Sequence, residues 1–120
     1  MAFDYLDFDY SEDADGAAGW DAMACVSAAH LPALCQEVAQ LLAWAEAHFP
    51  GCQGAIEEGF DWDFDLQAQT EAGAPLHCTY DRAAQQLQLA PAPANERVQL
   101  SLALCTSPAF GRALHDFLYT

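Results

Sequence analysis

From Phe60 to Leu66 the chain reads Phe-Asp-Trp-Asp-Phe-Asp-Leu, and no other stretch narrows the choice of fold as far. On a helix, residues two apart point about 200° away from each other, so this pattern would scatter aromatics and carboxylates around the axis. In a strand, successive side chains leave opposite faces. Phe60, Trp62, Phe64 and Leu66 then line one side, and Asp61, Asp63, Asp65 and Gln67 the other. The alternation predicts a half-buried strand over residues 60–70. Such a strand needs partner strands and an apolar layer over its aromatic face.

Residues 31–49 supply that layer. Leu31, Leu34, Cys35, Val38, Leu41, Leu42, Ala45 and Phe49 recur at i, i+3, i+4 and i+7, which makes one apolar stripe on a helix of about five turns. Pro32 suits the first turn, where its missing N–H costs nothing, and Pro50-Gly51 ends the helix. Ahead of it, residues 3–10 alternate as a strand with Leu6, Phe8 and Tyr10 on one face and Tyr5, Asp7 and Asp9 on the other. The Asp, Ser and Gly content of residues 11–19 is turn chemistry, and residues 20–27 return as a second strand, giving a hairpin with an acidic tip. After the alternating segment, residues 71–75 turn. Strands follow at 76–81, 86–90 and 97–105, with Leu87, Leu89, Val98, Leu100, Leu102 and Leu104 inward. Residues 91–96 are a surface loop, and Ser107 caps a last short helix carrying Phe110, Ala113, Leu114 and Phe117. The order β-β-α-β-β-β-β-α predicts an α+β fold: a two-layer, mostly antiparallel sheet with two helices on one face. The 120 residues suffice for a single domain, residues 1–120.

The charge balance excludes several functions. There are 18 acidic residues against 3 basic ones, a net charge of −15, and the bases are Arg82, Arg97 and Arg112 with no lysine. A P-loop, a lysine Schiff base and a counterion-releasing nucleic-acid surface all lack their residues. The same charge repels nucleic acid and anionic membranes. No stretch has the apolar length of a membrane span, and the start of the chain has neither the basic end nor the apolar run of a signal peptide. Cys25, Cys35, Cys52, Cys78 and Cys105 are odd in number, with no C-x-x-C pair. The expectation is reduced thiols in a cytoplasmic protein.

Twelve of the 18 acidic residues fall at positions 4–21 and 57–65. Asp61, Asp63 and Asp65 would stand about 6.5 to 7 Å apart in one row, and aspartate is a poor strand former. Three readings stay open for that row: a solvated or edge-protecting face, a docking surface for a basic partner, and a cation site. Ser11-Glu12-Asp13-Ala14-Asp15-Gly16 resembles part of a calcium loop, but position one is Ser11 and position twelve is Ala22, where ligands are needed. His48 with Cys52 and His77 with Cys78 are weak zinc pairs. A thiol nucleophile would need His30 or His115 brought close, and no G-x-S-x-G is present. Trp44, about 120° from the centre of the helix stripe at about 100° per residue, either anchors an interface or folds over the stripe's edge.

The reading that follows is a small non-catalytic, acidic, cytoplasmic protein without a cofactor that binds a basic protein partner. Its candidate contacts are Asp7, Asp9, Asp61, Asp63, Asp65 and Trp44. Alternatives are a divalent-cation-binding or metal-dependent protein using the clustered aspartates, and a chain with no ligand that is acidic for solubility alone. Clustered carboxylates repel one another, so moderate monovalent salt should raise the melting temperature by screening. A scanning-calorimetry series that is flat or falling with salt would argue against the clustering.

Overall fold

The computed structural model describes residues 3–91 and 95–119. The elements run β1 (Phe8–Glu12), β2 (Ala18–Val26), α1 (Leu31–His48), β3 (Trp62–Thr70), β4 (Pro75–Asp81), β5 (Gln86–Ala90), β6 (Val98–Thr106) and α2 (Pro108–Tyr119), with a 3-10 turn at Ile56–Glu58. This is the expected α+β order. The strands form one sheet in the order β1-β2-β6-β3-β4-β5, every pair antiparallel. β6 lies between β2 and β3 and runs antiparallel to both, so β2 and β3 are parallel and α1 crosses from one to the other. The inserted last strand hides a strand-helix-strand unit from sequence order.

The alternation along each strand decides which face meets the helices. Trp20, Ala22, Ala24 and Val26 of β2, Trp62 and Ala68 of β3, and Val98, Leu100, Leu102 and Leu104 of β6 are buried together with Leu34, Val38, Leu41 and Leu42 of α1 and Phe110 and Leu114 of α2. Met23, Cys25, Asp65, Gln67 and Cys105 point the other way and are exposed. Thr106 is fully buried, and its hydroxyl accepts the Trp20 indole N–H at 3.1 Å. α2 starts where Ser107 predicts it, with the Phe110 N–H donating to Ser107 Oγ at 3.2 Å. α1 ends at His48, and Gly51 follows at φ +71°, a left-handed backbone that suits glycine.

Two expectations are corrected. The first strand covers Phe8–Glu12 only, because the residues before it have another use for their backbone donors. The N–H groups of Asp4, Tyr5 and Leu6 converge on the Glu37 carboxylate of α1 at 2.8, 3.1 and 3.1 Å. A sheet ladder would need those same donors. Secondly, Phe60 and Asp61 precede β3 instead of opening it. Phe60 is 38% exposed, and its ring lies over Gly54 so closely that a Cβ there would clash with it. In its place residues 52–54 cover the edge of β3, with Gly54 N–H donating to Trp62 O at 2.8 Å and Trp62 N–H to Cys52 O at 3.3 Å. Of the two readings open for Trp44, the packed one describes its ring: it is half-buried, stacks on Phe117 at 4.6 Å and 16° and meets Phe110 edge-on at 5.6 Å. Of the surface loop at 91–96, residues 92–94 lie outside the described residues.

β3 and β4 pair only at Ala68↔Leu76 and Gln69↔Pro75, after which β4 leaves the sheet's line and the β4–β5 hairpin folds over α1. Trp62 is 1% exposed and lies in a stack between Phe64, at 5.8 Å, and Phe110, at 5.6 Å. Trp62→Ala should therefore cost about 3 to 5 kcal/mol, read from urea unfolding. A loss under about 1 kcal/mol would place the ring outside the core.

Candidate functional site

The sheet face turned away from the helices carries cross-strand rows fixed by register. Asp9 is opposite Asp21, Asp21 opposite Ala103, and Ala103 opposite Asp65. Neighbouring strands are about 4.8 Å apart. Asp9 and Asp21 therefore face each other directly, while Asp65 stands about 10 Å from Asp21 across the small Ala103. One row further along are Ser11, Gly19, Cys105 and Asp63; on the other side are Met23, Ser101 and Gln67. Met23 is 63% exposed, an apolar, adaptable side chain beside the carboxylate row.

At the Asp63 end this face runs into a groove of about 790 Å³. The β1–β2 turn walls it with Glu12, Asp13 and Asp15, and the 3-10 turn with Ile56 and Glu57; Gly19, Cys105 and Asp63 belong to its lining. Local hydrogen bonds fix the carboxylates. Asp13 Oδ1 accepts the N–H groups of Asp15 at 2.9 Å and Ala17 at 3.0 Å, an Asx turn that shapes the hairpin tip. Glu12 Oε2 accepts the Tyr10 hydroxyl at 2.7 Å; that bond raises the Tyr10 pKa, with desolvation and the Glu12 charge adding. Asp63 Oδ1 accepts the Phe64 N–H at 2.9 Å and the Gln53 amide at 3.2 Å. Among the described residues no arginine or histidine lines this groove.

Of the residues singled out by sequence, the fold brings Asp9, Asp63 and Asp65 to this surface. Asp7 is exposed ahead of β1, in a separate recess that includes Phe3, Leu6 and Leu118. Asp61 is engaged internally: its Oδ1 accepts the Ser107 hydroxyl at 2.9 Å and its carbonyl the Ser107 N–H at 2.8 Å. It ties the entry of β3 to the cap of α2 and is not part of a row. Trp44 lies between the helices. Asp21 and Glu57 join the surface without having been chosen, since only the pairing of β2 with β6 and the chain's return over residues 52–58 put them there. Their acidity was the only signal in the sequence.

Among the described residues, no group of three or more His, Cys, Asp or Glu side chains is placed to hold a metal ion. Asp13 spends its oxygen on backbone donors, and His48 Nδ1 lies 3.0 Å from Trp44 O while Cys52 Sγ donates to Pro50 O. All five cysteines are free thiols. Burial raises the pKa of Cys35 and Cys52, Asp61 adding to the latter, and pushes Cys78 up to about 11, with Cys35 as a second cause. Raised values keep these thiols protonated and weakly nucleophilic near neutral pH.

No protein-family model, curated protein or solved structure matches the chain.

The thiols carry a pH dependence. Unfolded, Cys78 would ionise near its ordinary value of 9.0, whereas folded it holds its proton to about 11. Between those values the native state binds more protons, so stability is full below the lower value and falls as pH rises through the window. The urea midpoint should drop from pH 8 to pH 10, and by less in Cys78→Ala. Identical pH profiles for the two proteins would remove Cys78 as the cause.

Proposed function

We propose that the acidic groove and the row beside it dock a lysine- or arginine-bearing segment of a protein partner. One observation carries this reading. Five carboxylates around the groove, Glu12, Asp13, Asp15, Glu57 and Asp63, adjoin three more in the row, Asp9, Asp21 and Asp65. They come from three separate parts of the chain and no base lies among them. Aspartates directly opposite each other across a ladder, as Asp9 and Asp21 are, destabilise a sheet. A surface that concentrates like charge in this way lowers its energy when a cation replaces solvent, and it steers a basic partner toward itself over long range. Met23, exposed next to the row, offers an apolar contact of the adaptable kind used at binding surfaces. The reading includes a reducing compartment, the cytoplasm, which suits five unpaired thiols. No described helix is long and apolar enough to cross a membrane.

A ten-residue peptide alternating arginine and alanine is a suitable probe. Its amide-shift perturbations should concentrate on β1, β2, β6, β3 and residues 55–57. Changing Asp9, Asp21 and Asp65 to Asn should leave the fold unharmed or slightly stabilised, and should weaken binding about tenfold or more, chiefly through slower association. Perturbations spread evenly over every acidic segment, Asp7 included, or an unchanged affinity in the triple variant, would leave only non-specific attraction and defeat the proposal.

A further inference from the structure

Beyond its carboxylate row the open face of the sheet changes character. Two residues further along each strand from Asp21, Ala103 and Asp65 come Met23, Ser101 and Gln67, a step of about 6.5 to 7 Å. These three open onto a recess of about 580 Å³ where β4 parts from β3 after two paired positions. Met23, Leu66, Ala68, Pro75 and Leu76 form its apolar part, and Met23 is 63% exposed. Among the described residues no carboxylate belongs to the lining. Gln67 marks the border, its Nε2 donating to Asp65 Oδ2 at 3.1 Å. Row and recess share one shallow trough. Its floor is β6, which turns only the small side chains of Cys105, Ala103 and Ser101 outward there; Asp21 and Met23 of β2 stand on one side, and Asp63, Asp65 and Gln67 of β3 on the other.

We infer that the partner segment docked at the acidic site is extended, lies along β6, and carries an apolar anchor two residues from a basic one, the anchor seated in the recess beside Met23. This rests on the docking function proposed above and adds to it a second chemistry and a spacing. In an extended chain, residues two apart leave on the same side and stand about 6.5 to 7 Å from each other. That is the step from the carboxylate row to the Met23 row. One step the other way reaches Cys105 and Asp63, where a second basic residue finds a carboxylate. The segment therefore reads basic-x-basic-x-apolar in one of its two chain directions. A third base would meet no acid in the recess, whereas an aliphatic side chain takes Met23 and Leu66 out of water. Gln67, Gln69 and Gln99 at the same recess carry amide donors and acceptors for the segment's backbone. Charge alone attracts any basic chain; the anchor selects among them.

The test compares three end-capped peptides, each made in both chain directions: Ala-Arg-Ala-Arg-Ala-Leu-Ala, the same peptide with alanine in place of leucine, and Ala-Arg-Ala-Arg-Leu-Ala-Ala, in which the leucine is moved by one residue and faces away from the sheet. Affinities and amide shifts of ¹⁵N-labelled protein are read together. In one direction the first peptide should bind about fivefold more tightly than the alanine peptide, and the displaced leucine should give no gain. The amides of Leu66, Gln67 and Cys78 should move with the first peptide only. Met23→Gln, a change at an exposed position, should abolish the gain and leave the alanine peptide's affinity as it was. If neither the first peptide nor the alanine peptide binds at the carboxylate row, the docking function itself fails. Binding there with no gain from leucine, an equal gain at both leucine positions, or a gain that survives Met23→Gln would overturn the anchor alone.

Discussion

The double pairing of β6 is what the rest of this molecule rests on. Nine residues, Val98–Thr106, pair with β2 on one side, from Ala18↔Thr106 to Val26↔Val98, and with β3 on the other, from Trp62↔Thr106 to Thr70↔Val98. Without β6, β2 and β3 would be two exposed edges about 10 Å apart, each with a row of unmatched backbone groups. The strand also supplies a run of deeply buried residues: Val98, Leu100, Leu102 and Leu104 are 0 to 2% exposed. Because its partners lie tens of residues earlier, the loop-closure cost of the whole sheet falls on its arrival. α2 follows at once, and Ser107 fastens its start to Asp61, so the last strand and the last helix dock together.

That arrangement explains which parts of the fold were legible in the sequence. Periodicity reveals an element when the residues that alternate also pack. The stripe of α1 and the Leu and Val alternation of β6 do so, and their limits were readable to within a residue or two. The segment 3–7 alternates as well as β1 does, yet it is not a strand, because the Glu37 carboxylate, a long-range partner invisible in local pattern, collects its backbone donors. Phe60 and Asp61 belong to the same alternating run as Trp62 and were assigned with it. The close fit of the Phe60 ring on Gly54 and the bond from Ser107 to Asp61 pull them out of register. In each case a tertiary contact outbids a local preference. The acidic site was legible only as composition: Asp9, Asp63 and Asp65 could be named, but Asp21 enters through strand order, which no local pattern encodes.

The two faces of the sheet divide the chemistry. On the helix side the buried Trp20 indole has its partner within the fold, the Thr106 hydroxyl. On the open side, charge is spread where water can solvate it. The three bases are used sparingly: Arg97 donates to the Cys25 carbonyl at 3.0 Å, Arg82 faces Glu46, and Arg112 is on α2. None lies in the groove lining, although Arg112 shares the neighbouring recess with Glu12. A sequence with ordinary lysine content would neutralise such a surface from its neighbours. Here the shortage of bases is as much a part of the site as the acids are.

Gln53 joins Arg82, in the β4–β5 turn, to Asp63 of the groove. Its Oε1 accepts from Arg82 and its Nε2 donates to Asp63 Oδ1, so both ends of one amide are used and its orientation is fixed. Turning it would set its N–H groups against a guanidinium that has only donors and its oxygen against a carboxylate that has only acceptors. The amide cannot be reversed without breaking both bonds. Glu46, Arg82, Gln53 and Asp63 are therefore linked by one ion pair and two hydrogen bonds, which tie the end of α1 and the β4–β5 turn to the start of β3.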